Sequence, residues 1–274
     1  SDVYYAYDAR LMACMAEAIG EHADAQKYKS LFEKIRQMFI KNYIHVDEKT
    51  LTVLSSGGYK GMEFADNPNQ VGVENIKMED NSQAALLWCL KLGLYENEDQ
   101  KRQMIDLLAE NITNSAAYKA SHPESARVKY AQNTLSVGFL GVHVIAPVLS
   151  DMGRSDLAYK LLLQDAMPSW LYSVKNGATT IWERWNSYSV ENGFGDVRMN
   201  SFNHYAYGAI AEWMYKYMAG IAVDPTRPGF KHIHLKPQLD NNNQITSVKG
   251  VYDSVHGTIR SEWEVRGSTF IYAV

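Results

Sequence analysis

The stretch Met15-Ala-Glu-Ala-Ile19-Gly20-Glu-His-Ala-Asp24-Ala-Gln-Lys-Tyr28 ends one amphipathic helix on a glycine, passes an acidic turn and begins another helix. Upstream, Tyr4, Tyr7, Leu11, Met15, Ala18 and Ile19 recur at three- and four-residue steps from Asp2, which predicts a helix with an apolar face and a glycine stop. Downstream, Tyr28, Leu31, Ile35, Met38 and Phe39 repeat the pattern over 23–43, so the two segments form a helical hairpin. The same form returns twice. A helix capped by Asp80 or Asn81 runs through Leu92 to Gly93 and pairs with Glu98 to Asn111. A third begins near Asn133, passes Leu140, Val144, Ile145 and Val148 to Met152-Gly153, and pairs with Ser155 to Val174, broken at Pro168. Gly138, Gly141 and Pro147 weaken its first helix. Hairpins repeated with glycine-marked turns predict an α-solenoid or an α/α toroid.

A short strand is expected at 50–54 and a long loop over 55–78, with a seventh helix at 202–218. At Gly220 the pattern changes. Asp224-Pro-Thr-Arg-Pro-Gly229 is a connector, and beyond it alternating residues predict strands around Ile233 and Leu235, Val248 to Tyr252, Ile259 to Val265, and Thr269 to Val274. The expected division is therefore a helical domain over 1–220 and a small, possibly truncated antiparallel β-domain over 221–274.

Between the third hairpin and the seventh helix lies Gly177-Ala-Thr-Thr-Ile-Trp-Glu-Arg-Trp-Asn-Ser187, which shows neither helical nor strand periodicity and reads as a long loop. It sets Glu183 between Trp182 and Trp185 with Arg184 beside it. Indole faces stack on the C–H surfaces of a pyranose, and a carboxylate acts on water or on a glycosidic oxygen, so this pattern suits a sugar site. A core tryptophan pair with Glu183 in an ion pair reads equally well from composition.

The totals narrow the classes. At 274 residues and 46% hydrophobic the chain can build a substantial core, and a net charge of −4 argues against nucleic acid or an anionic membrane as partner. No apolar run approaches the ~18 residues of a membrane span, and no signal peptide opens the chain, so a soluble protein is expected with its compartment open. Because it starts at Ser1, a processed or excised piece is expected. Cys14 and Cys89 fall on apolar helical faces and read as reduced core thiols. There is no phosphate loop, zinc spacing or nucleophile elbow, and no cofactor is expected.

Taken in order, Gly177 to Trp185, Ser201-Phe-Asn-His-Tyr-Ala-Tyr-Gly208, Glu212-Trp213 and Gly220-Ile through Pro225 to Gly229-Phe230 resemble the bacterial α-L-rhamnosidases of glycoside hydrolase family 78. Tyr4-Tyr-Ala-Tyr7, Gly138-Phe-Leu-Gly141 and Leu149 to Trp170 extend the similarity over most of the chain. The resemblance implies an (α/α)6 toroid followed by a C-terminal β-domain, and hydrolysis of terminal α-L-rhamnosides with inversion; whether in bacterial cytoplasm or periplasm stays open. It implies that Glu183 is the general base and His204 a sugar-binding residue; the loop pattern itself adds Trp182, Arg184 and Trp185 as substrate-binding candidates. Inversion needs two carboxyls about 6.5–9.5 Å apart. The Asp- and Arg-rich motif with its Gly-Trp-Thr-Gly-Asp-like run, where such enzymes carry the acid, does not occur here.

With about seven helices where a closed toroid needs twelve, the chain is expected to be the C-terminal portion of a larger enzyme, weakly active or inactive alone. Its expected partners are a rhamnose-containing glycoside, the N-terminal part of the same enzyme and, through exposed apolar faces, itself. The alternative is a non-catalytic helical module binding glycan or protein through the aromatic loop 177–196. Glu79 and Asp80 could reach a sugar, though Asp80 fits a cap better. Glu191 and Asp196 read as solvated or ion-paired loop carboxylates. His232 and His234 share one face of a strand and, with no third ligand nearby in sequence, read as a surface pair without metal.

Overall fold

The computed structural model describes residues 2–54 and 80–274, and the chain divides into two compact units, 1–132 and 133–274. The loop expected at 55–78 and Glu79 lie outside the described residues.

In the first unit, α1 (Asp2–Ala18) and α2 (His22–Tyr43) form the first hairpin. The face that α1 buries is not the one its large residues mark. Ala6, Ala9, Ala13 and Ala16 are buried, while Leu11, Met12, Met15 and Ile19 stay exposed. Small side chains let the axis of α2 approach closely, and Ala25, Ile35, Phe39 and Ile40 fill that contact from the other helix. Cys14 is accordingly exposed, whereas Cys89 is buried and its thiol is pushed up to about 12 by burial. Tyr4 and Tyr7 pack on Trp88 with ring centroids 4.9 and 5.5 Å away.

A two-stranded ribbon follows, β1 (Ile44–Asp47) against β2 (Thr50–Val53), with Ile44 opposite Val53. Next come α3 (Gln83–Leu92) and α4 (Glu98–Thr113). The cap of α3 is Ser82, whose hydroxyl accepts from the Ala85 N–H, and not Asp80 or Asn81. Asn81 instead takes a left-handed backbone, and its side-chain oxygen accepts the Val53 N–H at 2.7 Å, which ties the ribbon to the helix entrance. From Leu86 to Leu90 every residue of α3 is buried, as befits a helix covered on all faces.

A short helix absent from the sequence reading, α5 (Ala116–Ser121), completes this unit with the turn 126–129. Arg127 there is 3% exposed; its guanidinium donates to the carbonyls of Asn111 and Ile112 and satisfies two acceptors at the end of α4. Burial lowers its pKa to about 10.

The second unit opens with a turn at Asn133 and irregular chain, not helix: Leu135 N–H donates to the Pro168 carbonyl, and α6 (Phe139–Asp151) starts only after Gly138. Its partner is split, as Pro168 required, into α7 (Ser155–Leu162) and α8 (Trp170–Lys175). The glycines of the three hairpin turns, Gly20, Gly93 and Gly153, have φ of 83°, 69° and 77°, the left-handed conformation that ends a helix cheaply only without a Cβ. The minimal ribbon β3 (Tyr188–Ser189) and β4 (Gly193–Phe194) sits in the long loop.

The expected helix over 202–218 is composite. A 3₁₀ turn at Ala206–Ala209 leads into α9 (Ile210–Trp213), and a π turn covers Met214–Met218. Trp213 is fully buried, donates to the Ser150 hydroxyl and meets Tyr159 edge-on.

Antiparallel β5 (Ile221–Val223) and β6 (Ile233–Leu235) follow, then the meander β7 (Ser247–Ser254), β8 (Gly257–Arg266) and β9 (Thr269–Ala273). The sheet is anchored to the end of the π turn, where Trp263 donates its indole N–H to the Met218 carbonyl and Ser261 its hydroxyl to that of Ala219.

Three tyrosines of this unit bear on its alkaline stability. Burial pushes Tyr207 up to about 12 and raises Tyr159 and Tyr217 as well; the Asp151 carboxylate accepting the Tyr217 hydroxyl adds to the last shift. A raised folded-state pKa means stability that is whole below pH 10 and falls as the unfolded chain ionises first. Unfolding followed by circular dichroism is expected to set in between pH 10 and 12, and a flat stability across that window would contradict burial of these hydroxyls.

Candidate functional site

The loop after α8 is held at its neck by a second segment. Glu183 N–H donates to the Ser201 carbonyl at 2.9 Å, and Ser201 N–H donates back to Oε2 of Glu183 at 2.7 Å. One step along, His204 N–H donates to the Ile181 carbonyl at 2.8 Å, and the Thr180 hydroxyl reaches the Phe202 carbonyl. The stretches 180–183 and 201–204 thus lie side by side. Both carry residues singled out in the sequence, and the backbone pairs them directly.

Glu183 is partly exposed. Its Oε2 is oriented by the Ser201 amide, and Oε1 makes no hydrogen bond among the described residues. A carboxylate held on one oxygen keeps the other for a proton of water or of a hydroxyl.

The His204 ring lies parallel between Phe139, 4.7 Å away with 9° between planes, and Tyr205, 5.4 Å away at 7°. Its Nδ1 accepts the Ala206 N–H at 3.3 Å, which in the neutral ring leaves the proton on Nε2 as a donor. The backbone thus occupies one ring nitrogen and leaves the other to donate elsewhere. Tyr205 is 88% exposed and extends the stack outward.

The two indoles sit deeper. Trp182 is 7% exposed and meets Tyr188 and Phe202 edge-on. Trp185 stacks face to face on Tyr207, 3.7 Å apart at 4°, stands edge-on to Trp170 and donates its N–H to the Val137 carbonyl. Trp170 in turn donates to the Tyr207 carbonyl. One face of Trp185 is therefore occupied by protein.

Arg184 lines a narrow crevice with Trp170, Trp182, Trp185 and Tyr207, and makes no ion pair among the described residues. The Glu183 carboxylate is not part of that lining. Its charge still reaches the Tyr207 hydroxyl, which Arg184 pulls down and Glu183 pushes up beneath the larger effect of burial.

Asp196 caps the turn 197–199 and pairs with Arg198 at 2.6 Å, and Glu191 is exposed. Tyr207 and Phe139 are the site residues missed in the sequence. Both stand inside quoted motifs, but nothing in an isolated aromatic distinguishes a packing platform from any other core ring.

Residues 1–218 match the family model described as the bacterial alpha-L-rhamnosidase 6 hairpin glycosidase domain, and 220–274 match that of the bacterial alpha-L-rhamnosidase C-terminal domain. The helical hairpins are thus those of a six-hairpin glycosidase fold, followed by a small antiparallel β-region. An alpha-L-rhamnosidase of Formosa agariphila is 32% identical over 99% of this chain and one of Streptomyces avermitilis 34% identical over 98%. The crystal structure of the Streptomyces avermitilis alpha-L-rhamnosidase complexed with L-rhamnose superposes with a TM-score of 0.73 at 32% identity, covering 99% of this chain and 22% of that one. The chain belongs to the bacterial α-L-rhamnosidase family. It spans 24% and 21% of the length of the two curated relatives. No helix among the described residues is long and apolar enough to cross a membrane.

Proposed function

We propose that this chain carries the water-activating side of an α-L-rhamnosidase active site that hydrolyses terminal α-L-rhamnosides with inversion. The observation that supports this most is the reciprocal pairing of Glu183 with Ser201, which holds one carboxylate oxygen and leaves the other open. On this reading Glu183 takes a proton from the attacking water. His204 donates from Nε2 to a sugar hydroxyl, Arg184 donates to another, and Trp182 and Trp185 form the apolar wall behind the ring.

We assign the general acid to no residue of this chain; of the loop carboxylates, Asp196 is paired with Arg198. The substrate is a rhamnose-containing glycoside, consistent with the L-rhamnose bound by the Streptomyces avermitilis protein. The exposed Leu11, Met15 and Ile19 of α1 are proposed to pack on a further part of the same enzyme, or on a second copy where that part is lacking.

The test is the anomer released first from an aryl α-L-rhamnoside, read by proton NMR on the longest polypeptide that contains these residues. β-L-Rhamnose is expected. The α anomer would overturn the base role, because retention requires Glu183 or another carboxylate to act as nucleophile. Binding of L-rhamnose with no turnover would favour a glycan-binding module instead.

A further inference from the structure

The turn that joins β5 to β6 brings together three donors that the sequence keeps apart. Asp224 follows β5 directly, and its N–H donates to the His232 carbonyl at 3.2 Å, so Asp224 and His232 face each other across the ladder. His234 lies two residues further along β6. Residues alternate between the faces of a strand, and directly opposed residues share one, so Asp224, His232 and His234 project to the same side.

The side chains converge as this register requires. Oδ2 of Asp224 is 2.8 Å from His232 Nδ1 and 3.8 Å from His234 Nε2, and all three donor atoms lie within 4.8 Å of one another. The other oxygen, Oδ1, is already fixed by the Thr226 N–H at 2.8 Å and the Thr226 hydroxyl at 2.7 Å. That support orients the carboxylate as an outer-shell partner orients a metal ligand, and keeps Oδ2 aimed between the imidazoles.

We infer that Asp224, His232 and His234 form a binding site for a divalent transition-metal ion of the zinc type. Zinc bonds to imidazole nitrogen and carboxylate oxygen are about 2.0–2.2 Å long, which sets neighbouring donors of a tetrahedral site about 3.3 Å apart. The observed separations of 2.8 and 3.8 Å straddle that value. Reaching it takes a shift of about half an ångström in each of these two contacts, and the two imidazole nitrogens, within 4.8 Å of one another, can close by rotation of half-exposed side chains.

Two neutral imidazoles and one carboxylate match zinc, nickel or copper in softness and suit calcium and magnesium poorly, since those prefer oxygen donors throughout. The histidine side chains are 50% and 53% exposed, so water completes the coordination. Without an ion, the same geometry is a hydrogen-bonded Asp224–His232 pair. A bound ion would clamp the connector 224–232, whose two prolines fix its turn, and so staple the start of the β-region.

The site is tested by calorimetry with zinc chloride on the untagged chain after EDTA treatment. One equivalent is expected to bind, and thermal scans should show Tm rising with zinc until the site saturates. His234→Ala and Asp224→Asn should each weaken binding at least tenfold. His256→Ala, which removes an exposed imidazole in another turn, should not. Among the described residues the His234 side chain makes no hydrogen bond, only the 3.8 Å approach to Asp224, and matching circular dichroism spectra keep the comparison one of folded proteins. Absence of stoichiometric binding, or binding unchanged in His234→Ala, would overturn the inference.

Discussion

In the longest polypeptide that contains these residues, replacing Glu183 with Gln is expected to lower kcat on an aryl α-L-rhamnoside about 10²- to 10⁴-fold, the usual contribution of a positioned base. That corresponds to about 3–5 kcal/mol of transition-state stabilisation. The substitution is chosen for what it preserves. A Gln carbonyl oxygen still accepts the Ser201 N–H, and the Glu183 N–H still donates to the Ser201 carbonyl, so the neck of the loop keeps both bonds. KM should therefore stay within a few-fold and Tm should not move. Glu183→Ala removes the acceptor as well, and should add a lower Tm to the lost rate. Undiminished kcat in the Gln variant would sink the base assignment; equal losses of rate and stability in both variants would make Glu183 a structural brace.

The second large effect concerns folding. Gly220 has φ of 77°, and a Cβ there would lie 2.2 Å from the Pro237 nitrogen and 2.5 Å from the Lys236 carbonyl carbon. Both are backbone atoms and cannot swing away. They are held where they are because Lys236 N–H donates to the Gly220 carbonyl and Gln238 N–H to that of Tyr217. Alanine in the left-handed region costs roughly 1–2 kcal/mol by itself. Relieving the overlap means parting 219–221 from 236–238, which also disturbs the bonds from Ser261 and Trp263. Gly220→Ala should lose more than about 3 kcal/mol, a large share of an ordinary domain's stability, and lower Tm by roughly 10 °C. Gly153→Ala is the matched control: the same φ of 77° with nothing within 4 Å of its Cβ, so it carries the conformational cost alone. Equal losses in the two variants would show that the close approach at Gly220 is readily relieved.

Much of this architecture was legible because its signals are local. Glycine stops at Gly20, Gly93 and Gly153 mark turns through backbone sterics, which no distant contact can override cheaply. The switch to alternation after Gly220 has the same character, since period two and period 3.6 do not mimic each other. The buried side of α1 was misread for a reason of equal generality. The spacing of Tyr4, Tyr7, Leu11 and Met15 identifies an apolar stripe, yet the hairpin contact uses the alanines at 6, 9, 13 and 16, because closeness between helices rewards small residues. Likewise 134–138 forms no helix, and Leu135 within it donates to the Pro168 carbonyl, a tertiary bond invisible to a local window.

At the site, sequence spacing could name Glu183 and His204 but not join them. The bonds that do so run between main chains, through amides and carbonyls that every residue owns. Asp224 was overlooked beside His232 and His234 for a similar reason: its proximity is a matter of strand register, not of distance along the chain.

The closed neck at 180–183 and 201–204 gives the loop between them an unusual freedom. Its far end, the turn between Ser189 and Gly193, hangs from a junction that is already tied off, with Val190 70% exposed. Lengthening that turn adds only the slow logarithmic cost of closing a longer loop, about 0.6 kcal/mol for each doubling. Variation there can reshape the outer part of the loop without displacing Glu183. In such a loop the tip can change length while the residues of the neck keep their place.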